Sequence, residues 1–207
     1  AAHGFVRAHG TPLRFSLDYA AGQLAQSWLA SLNPVGVARP VIERLHERTR
    51  ETVSLALRQG LQHLYVIELT SPHALSMSRG IGPMEHLTRG ASGKAILAFM
   101  NEGDAKTALA SAPEGTDVRT LARDLALIRR QGYAVARSEV IPGVVAVASP
   151  IFDRSGEVAG AVVVFGPEVR LPAAQISLVT QWIVESAAEV SAALGHRTGF
   201  AGASARS

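Results

Sequence analysis

The sequence predicts an α+β domain: a six-stranded antiparallel sheet with helices packed on it, preceded by a wing-like hairpin and a long helix. Three observations carry this reading. Apolar residues recur in extended segments that fall into two groups of three, and the links inside each group are short and rich in turn residues. Helical repeats stand before, between and after the groups. Hairpin links suit antiparallel neighbours, whereas a doubly wound parallel sheet needs a long crossover between each pair of strands.

The elements follow in order. Phe5 to Ala8 and Leu13 to Leu17 flank His9-Gly10-Thr11-Pro12, a turn-rich loop, and so read as a hairpin. From Asp18 to Leu32 the stripe Leu24, Trp28 and Leu32 falls four apart, with Leu17 and Ala21 continuing it upstream, which predicts a helix. Asn33-Pro34 ends it and starts a second helix running to about Arg50, with Val41, Ile42 and Leu45 inward and a break expected at Pro40. The period then shortens: ETVSLAL and HLYVIELT read as strands joined at Gln59-Gly60, and a third strand is expected near Ala74 to Ser78. Helices resume at AILAFM and across Leu121 to Arg130, where Gly132 supplies a left-handed cap. Tyr133 to Arg137, Val144 to Ile151 and Val158 to Phe165 form the second group of strands, the last two joined through Asp153-Arg154-Ser155-Gly156. The repeat Ile176, Val179, Ile183, Ala187, Val190, Leu194 predicts a final helix over 173–194. The small, polar stretch 195–207 is expected to be a disordered tail.

Composition narrows the chemistry. The 207 residues are 47% hydrophobic and 18% charged, ordinary for a globular chain, and no apolar run is long enough to span a membrane as a helix. With no cysteine there is neither disulfide nor thiolate ligand, which fits a reducing cytosol. The net charge of +3 is spread over scattered arginines, a weak argument for nucleic acid by itself. GASGK resembles the end of a phosphate loop, but Thr88 stands where the first glycine belongs and Ala95 replaces the metal-binding hydroxyl. No nucleotide cofactor is expected. The seven histidines show no metal-ligand spacing, although His63, His73 and His86 could converge across the sheet. No serine sits in a G-x-S-x-G elbow and no carboxylate pair is evident, so an enzyme is not the expectation.

One local feature invites a ligand. Gly90-Ala91-Ser92-Gly93 opens a helix, and the free amides of a first turn attract an anion while glycines allow close approach. The alternative is that Ser92 simply caps that helix.

Six landmarks, taken in order, resemble the effector-binding domain of the IclR family of transcription regulators. They are GFVRAHGTPLRFSL, ETVSLAL, GIGPMEHLTRGASGKAILA, the IRRQGYAV run with Glu139 and Gly143 after it, VAVASPIFDRSGEVAGAVVV, and GPEVRL, together covering residues 4 to 194. The resemblance implies a GAF-like or profilin-like sensing domain (residues 34–194). Before it would come the end of a winged helix-turn-helix domain (1–17) and a linker helix used for dimerisation (18–33). It implies a cytoplasmic homodimer or homotetramer that binds operator DNA and answers to a small organic acid, without catalysis.

Family members that bind short 2-oxo acids seat the carboxylate on the turn matching Ala91, Ser92 and Gly93. At the sheet positions that are polar in such members this chain has Ala136, Ala146, Val163 and Phe165, while Met77 and Val144 supply apolar wall. The expected effector is therefore a bulkier amphiphilic acid, aromatic ones included, rather than glyoxylate. The alternative for Val163 and Phe165 is plain sheet core. Arg7 and Arg14 on the wing could reach phosphate, or be no more than exposed hairpin arginines. The competing reading of the whole is a stand-alone small-molecule-binding enzyme or sensor of α+β fold.

Overall fold

The computed structural model describes residues 4–31 and 33–196, and its contacts divide the chain into two units, residues 1–36 and 37–207. In the first, β1 (Val6–His9) and β2 (Arg14–Leu17) pair antiparallel and lead into α1 (Tyr19–Ser31). Asp18 and Ala20 donate their amides to the carbonyls of Phe5 and Gly4, which ties the helix start to the hairpin. Leu17 and Leu24, two members of the predicted stripe, are 78% and 59% exposed within this chain. Helix α2 (Asn33–Thr49) spans the boundary between the units.

The second unit carries the sheet. Its strands are β3 (Thr52–Gln59), β4 (Gln62–Leu69), β5 (Met84–His86), β6 (Ala134–Arg137), β7 (Val144–Phe152) and β8 (Val158–Pro167), in the spatial order β5-β4-β3-β8-β7-β6. All neighbours are antiparallel, so the fold class is α+β as the alternation predicted. Each group of three is a meander, and β3 against β8 joins the two groups. Helices α3 (Gly90–Leu97), α4 (Glu102–Ala110) and α5 (Val118–Gln131) belong to the layer where Ala56, Tyr65, Ala148 and Val163 meet Ala91, Ala95, Leu121 and Ile128 in one apolar cluster. Side chains alternate along a strand, so Val145, Val147, Val162 and Val164 face the other way, toward α6 (Ala173–Ala193), which packs on β7 and β8. Arg44 pairs with Glu189 at 2.5 Å and Arg48 with Glu185 at 3.6 Å, fastening α2 to α6.

Two expectations need correction. Ala74 to Ser78 is not a strand: Leu75 is 60% exposed, and the strand beside β4 is Met84–His86. The backbone there is satisfied by side chains instead of a ladder, since Thr52 Oγ1 donates to the Met77 carbonyl (2.6 Å) and the Glu68 carboxylate receives the amides of Arg79 (3.0 Å) and Gly80 (3.1 Å). Pro40 does not break α2, because it sits on the exposed side and the carbonyl it cannot meet belongs to exposed Gly36. Helix α4 was not anticipated from the sequence, because it lacks an apolar stripe and buries only Ala105 and Ala108; Asn101, whose side chain accepts the Asp104 amide at 2.9 Å, marks its start. Gly132 takes the left-handed cap conformation at φ 80°. The tail expected at 195–207 lies, beyond His196, outside the described residues.

Candidate functional site

Helix α3 begins abruptly. Gly90 has φ +67°, a conformation that suits glycine, and it turns the chain from β5 into a helix whose eight residues are all buried. Gly93 permits the tight seat: a Cβ there would stand 2.7 Å from the Leu87 carbonyl oxygen. Among the described residues the amides of Gly90, Ala91 and Ser92 meet no acceptor, as befits a first helical turn. Ser92 is not the cap, since Arg89 holds that position without a side-chain bond. The Ser92 hydroxyl instead pairs with the Tyr65 hydroxyl at 3.4 Å, and both residues line the space beside the turn.

That space is a cavity whose lining mixes two kinds of group. Gly90, Ala91 and Ser92 line it with Tyr65 and Arg79, and so do Ala136, Val140, Ile141, Val144, Ala146 and Phe165, together with Glu139. Val140 lies beside the turn, its Cγ2 3.1 Å from where a Cβ on Gly90 would stand. Phe165 pairs with Ala146, and Ala146 with Ala136, so three adjacent strands lay a floor of one large and two small side chains. Lys94 fixes the wall above them: its buried Nζ donates to Glu139 (2.5 Å) and Asp124 (3.1 Å), holding the segment after β6 and helix α5 to α3.

Six residues named from the sequence thus line the cavity: Ala91, Ser92, Ala136, Val144, Ala146 and Phe165. Three do not. Val163 is 1% exposed in the sheet interior, Gly93 turns toward Leu87, and Met77 packs against the apolar cluster from the loop. The sequence reading missed Tyr65 and Arg79. Tyr65 was visible only as one more apolar residue of a strand. Arg79 reaches the cavity because Glu68 gathers the loop, receiving Ser54 Oγ (3.3 Å), Ser78 Oγ (2.5 Å) and the two loop amides. Its guanidinium pairs with Glu85 and lies 5.9 Å from the Tyr65 ring. Burial pushes the Tyr65 hydroxyl above its ordinary pKa, so it stays a neutral donor. The polar part of the lining is therefore richer than the helix turn alone.

Among the described residues no group of three or more His, Asp or Glu side chains could hold a metal ion, so His63, His73 and His86 do not converge into such a site. No described helix is long and apolar enough to cross a membrane. On the hairpin, Arg7 and Arg14 are exposed; Arg14 stands opposite His9, two residues from Arg7, which places both arginines on one face.

Known proteins share this architecture. The family model described as "Bacterial transcriptional regulator IclR C-terminal" matches residues 26–192. The HTH-type transcriptional regulator BhcR of Paracoccus denitrificans is 32% identical over 167 residues, 77% of this chain and 60% of that protein. The transcriptional repressor IclR of Escherichia coli is 28% identical over 201 residues, 93% of this chain and 73% of that protein. The crystal structure of IclR from Thermotoga maritima superposes with a TM-score of 0.83 at 30% identity, covering 93% of this chain and 81% of that one. This chain spans less than two thirds of the length of BhcR. Since the matched span takes in the whole sheet with both of its helical layers, this chain belongs to the IclR family of bacterial transcription regulators and carries that family's C-terminal domain.

Proposed function

We propose that the chain is the sensing part of a cytoplasmic, ligand-responsive transcription regulator, and that its effector is an amphiphilic carboxylate larger than glyoxylate or pyruvate. The carrying observation is the mixed lining of the cavity. Three unmet amides, two hydroxyls and a guanidinium favour an anionic group, and Phe165 with its aliphatic neighbours favours an apolar body beside it. A short oxo acid would leave much of that apolar lining uncovered.

The effector acts by binding, without catalysis, through its unequal affinity for two arrangements of a homodimer or homotetramer on operator DNA. The exposed Leu17 and Leu24 support pairing of the linker helix with a second copy. The shared face of Arg7 and Arg14 supports phosphate contact by a wing, which positions rather than specifies. Calorimetric titration of the chain tests the effector class: benzoate and 3-phenylpropionate are expected to bind, and glyoxylate and pyruvate to bind at least about tenfold more weakly. Tight binding of the two short acids without the aromatic ones would reverse the assignment.

A further inference from the structure

Behind Tyr65 lies a polar group that the cavity itself does not use. His63 on β4 is 1% exposed, and among the described residues neither ring nitrogen meets a partner. Leaving such groups unmet is costly, and an aliphatic side chain in the same place would avoid the cost. The neighbours of His63 are charged. In the ladder it stands directly opposite Arg58 of β3 on one side and Glu85 of β5 on the other, and residues so paired share a face of the sheet. Arg58 is occupied by Asp104 of α4. Glu85 is occupied by Arg79, the cation on the cavity wall, and the Tyr65 ring stands edge-on to His63 with centroids 5.2 Å apart. Because Glu68 pins the backbone amides of Arg79 and Gly80, a change of partner for Arg79 needs only its side chain to turn.

We propose that Arg79 is a shared cation for which Glu85 and the anionic group of a bound ligand compete, and that the released Glu85 carboxylate is met by a proton taken from solvent onto His63. The inference rests on reading the cavity as an anion site. Charge balance motivates it. As described, Arg79 and Glu85 neutralise each other and His63 is uncharged. A ligand anion that takes over Arg79 leaves the half-buried Glu85 carboxylate without a counter-charge, and one proton from the buffer, held on a His63 ring nitrogen facing Glu85, restores neutrality. No bond other than that N–H forms. His63 is held near pKa 4 first by burial and then by the charge of Arg79, so spending that charge on a ligand relaxes the second cause.

Calorimetry of the chain at pH 6, with benzoate and its neutral amide benzamide in two buffers of unlike ionisation enthalpy, decides the matter. Benzoate is expected to bind with uptake of about half a proton or more, and benzamide with none. The Glu85→Gln variant, which removes the competitor, is expected to bind benzoate about tenfold tighter with no uptake. His63→Leu is expected to keep benzoate binding and lose the proton. Benzoate binding with equal enthalpy in both buffers would overturn the shared cation and leave the effector class standing. Failure of benzoate and 3-phenylpropionate to bind at all would overturn both.

Discussion

The two polar walls of the cavity are built in opposite ways. One is a single stretch of chain, Gly90 to Ser92 at the head of a helix buried along its whole length. The other is assembled from Tyr65 on β4 and Arg79 in a loop, with Arg79 held by the Glu68 carboxylate and by an ion pair to Glu85 on the edge strand. Contiguous backbone gives the first wall donors that cannot rearrange. Side chains from separate elements give the second wall charges that can change partners. A site that both holds a ligand and reports its arrival needs one wall of each kind.

The largest expected effect separates the walls by pH. His63, behind the assembled wall, titrates near 4 in the folded chain, below its ordinary 6.5, because burial disfavours the imidazolium. The unfolded chain therefore binds a proton that the folded chain refuses. Stability attributable to this residue is intact above pH 6.5 and declines as pH falls from there to 4, by at most about 3 kcal/mol. Urea unfolding at pH 7 and pH 4.5 is expected to show His63→Leu keeping about 2 kcal/mol more of its pH 7 stability than the unmodified chain. Parallel losses in the two proteins would mean that His63 is protonated as readily in the fold as out of it.

The contiguous wall is expected to fail by sterics alone. Gly93→Ala places a methyl 2.7 Å from the Leu87 carbonyl oxygen and 2.9 Å from its carbon, both backbone atoms that cannot swing aside. Overpacking of that sort costs about 1–3 kcal/mol at any pH, and shifting the turn should weaken anions and neutral analogues alike. A variant with unchanged melting temperature and unchanged benzoate affinity would show that the turn is not the rigid member of the pair.

Legibility in the sequence follows the same division. The turn was readable because its signal, glycines at the mouth of an apolar helix, is local. The sheet was readable because alternation and turn residues are local too, and the floor residues Ala136, Ala146 and Phe165 came with it. Arg79 and Tyr65 were not readable. An arginine between Ser78 and Gly80 looks like any loop cation until Glu68, more than ten positions earlier, is seen to gather the loop. The same side-chain bonds explain why Ala74 to Ser78, apolar enough to suggest a strand, is none.

The smallest expected effect tests whether the assembled wall depends on that gathering. The Glu68 carboxylate accepts from Ser54 Oγ, Ser78 Oγ and the amides of Arg79 and Gly80, all from within one side chain's reach. Glu68→Gln keeps the shape but turns one acceptor oxygen into a donor, so at least one of these bonds is lost, at about 1 kcal/mol. Three of the four bonds belong to the loop before β5, and the fourth, from Ser54, involves only a side chain of β3, so the loss should stay local. Amide hydrogen exchange is the fitting measurement: Arg79 and Gly80 should exchange several-fold faster, while Val53 to Leu57 in the centre of the sheet keep their protection. Benzoate affinity should fall modestly and benzamide affinity hold, because only the placement of a cation has been disturbed. If exchange at Arg79 and Gly80 is unaltered, the loop is held by something other than Glu68, and the contrast between a contiguous wall and an assembled one loses its physical basis.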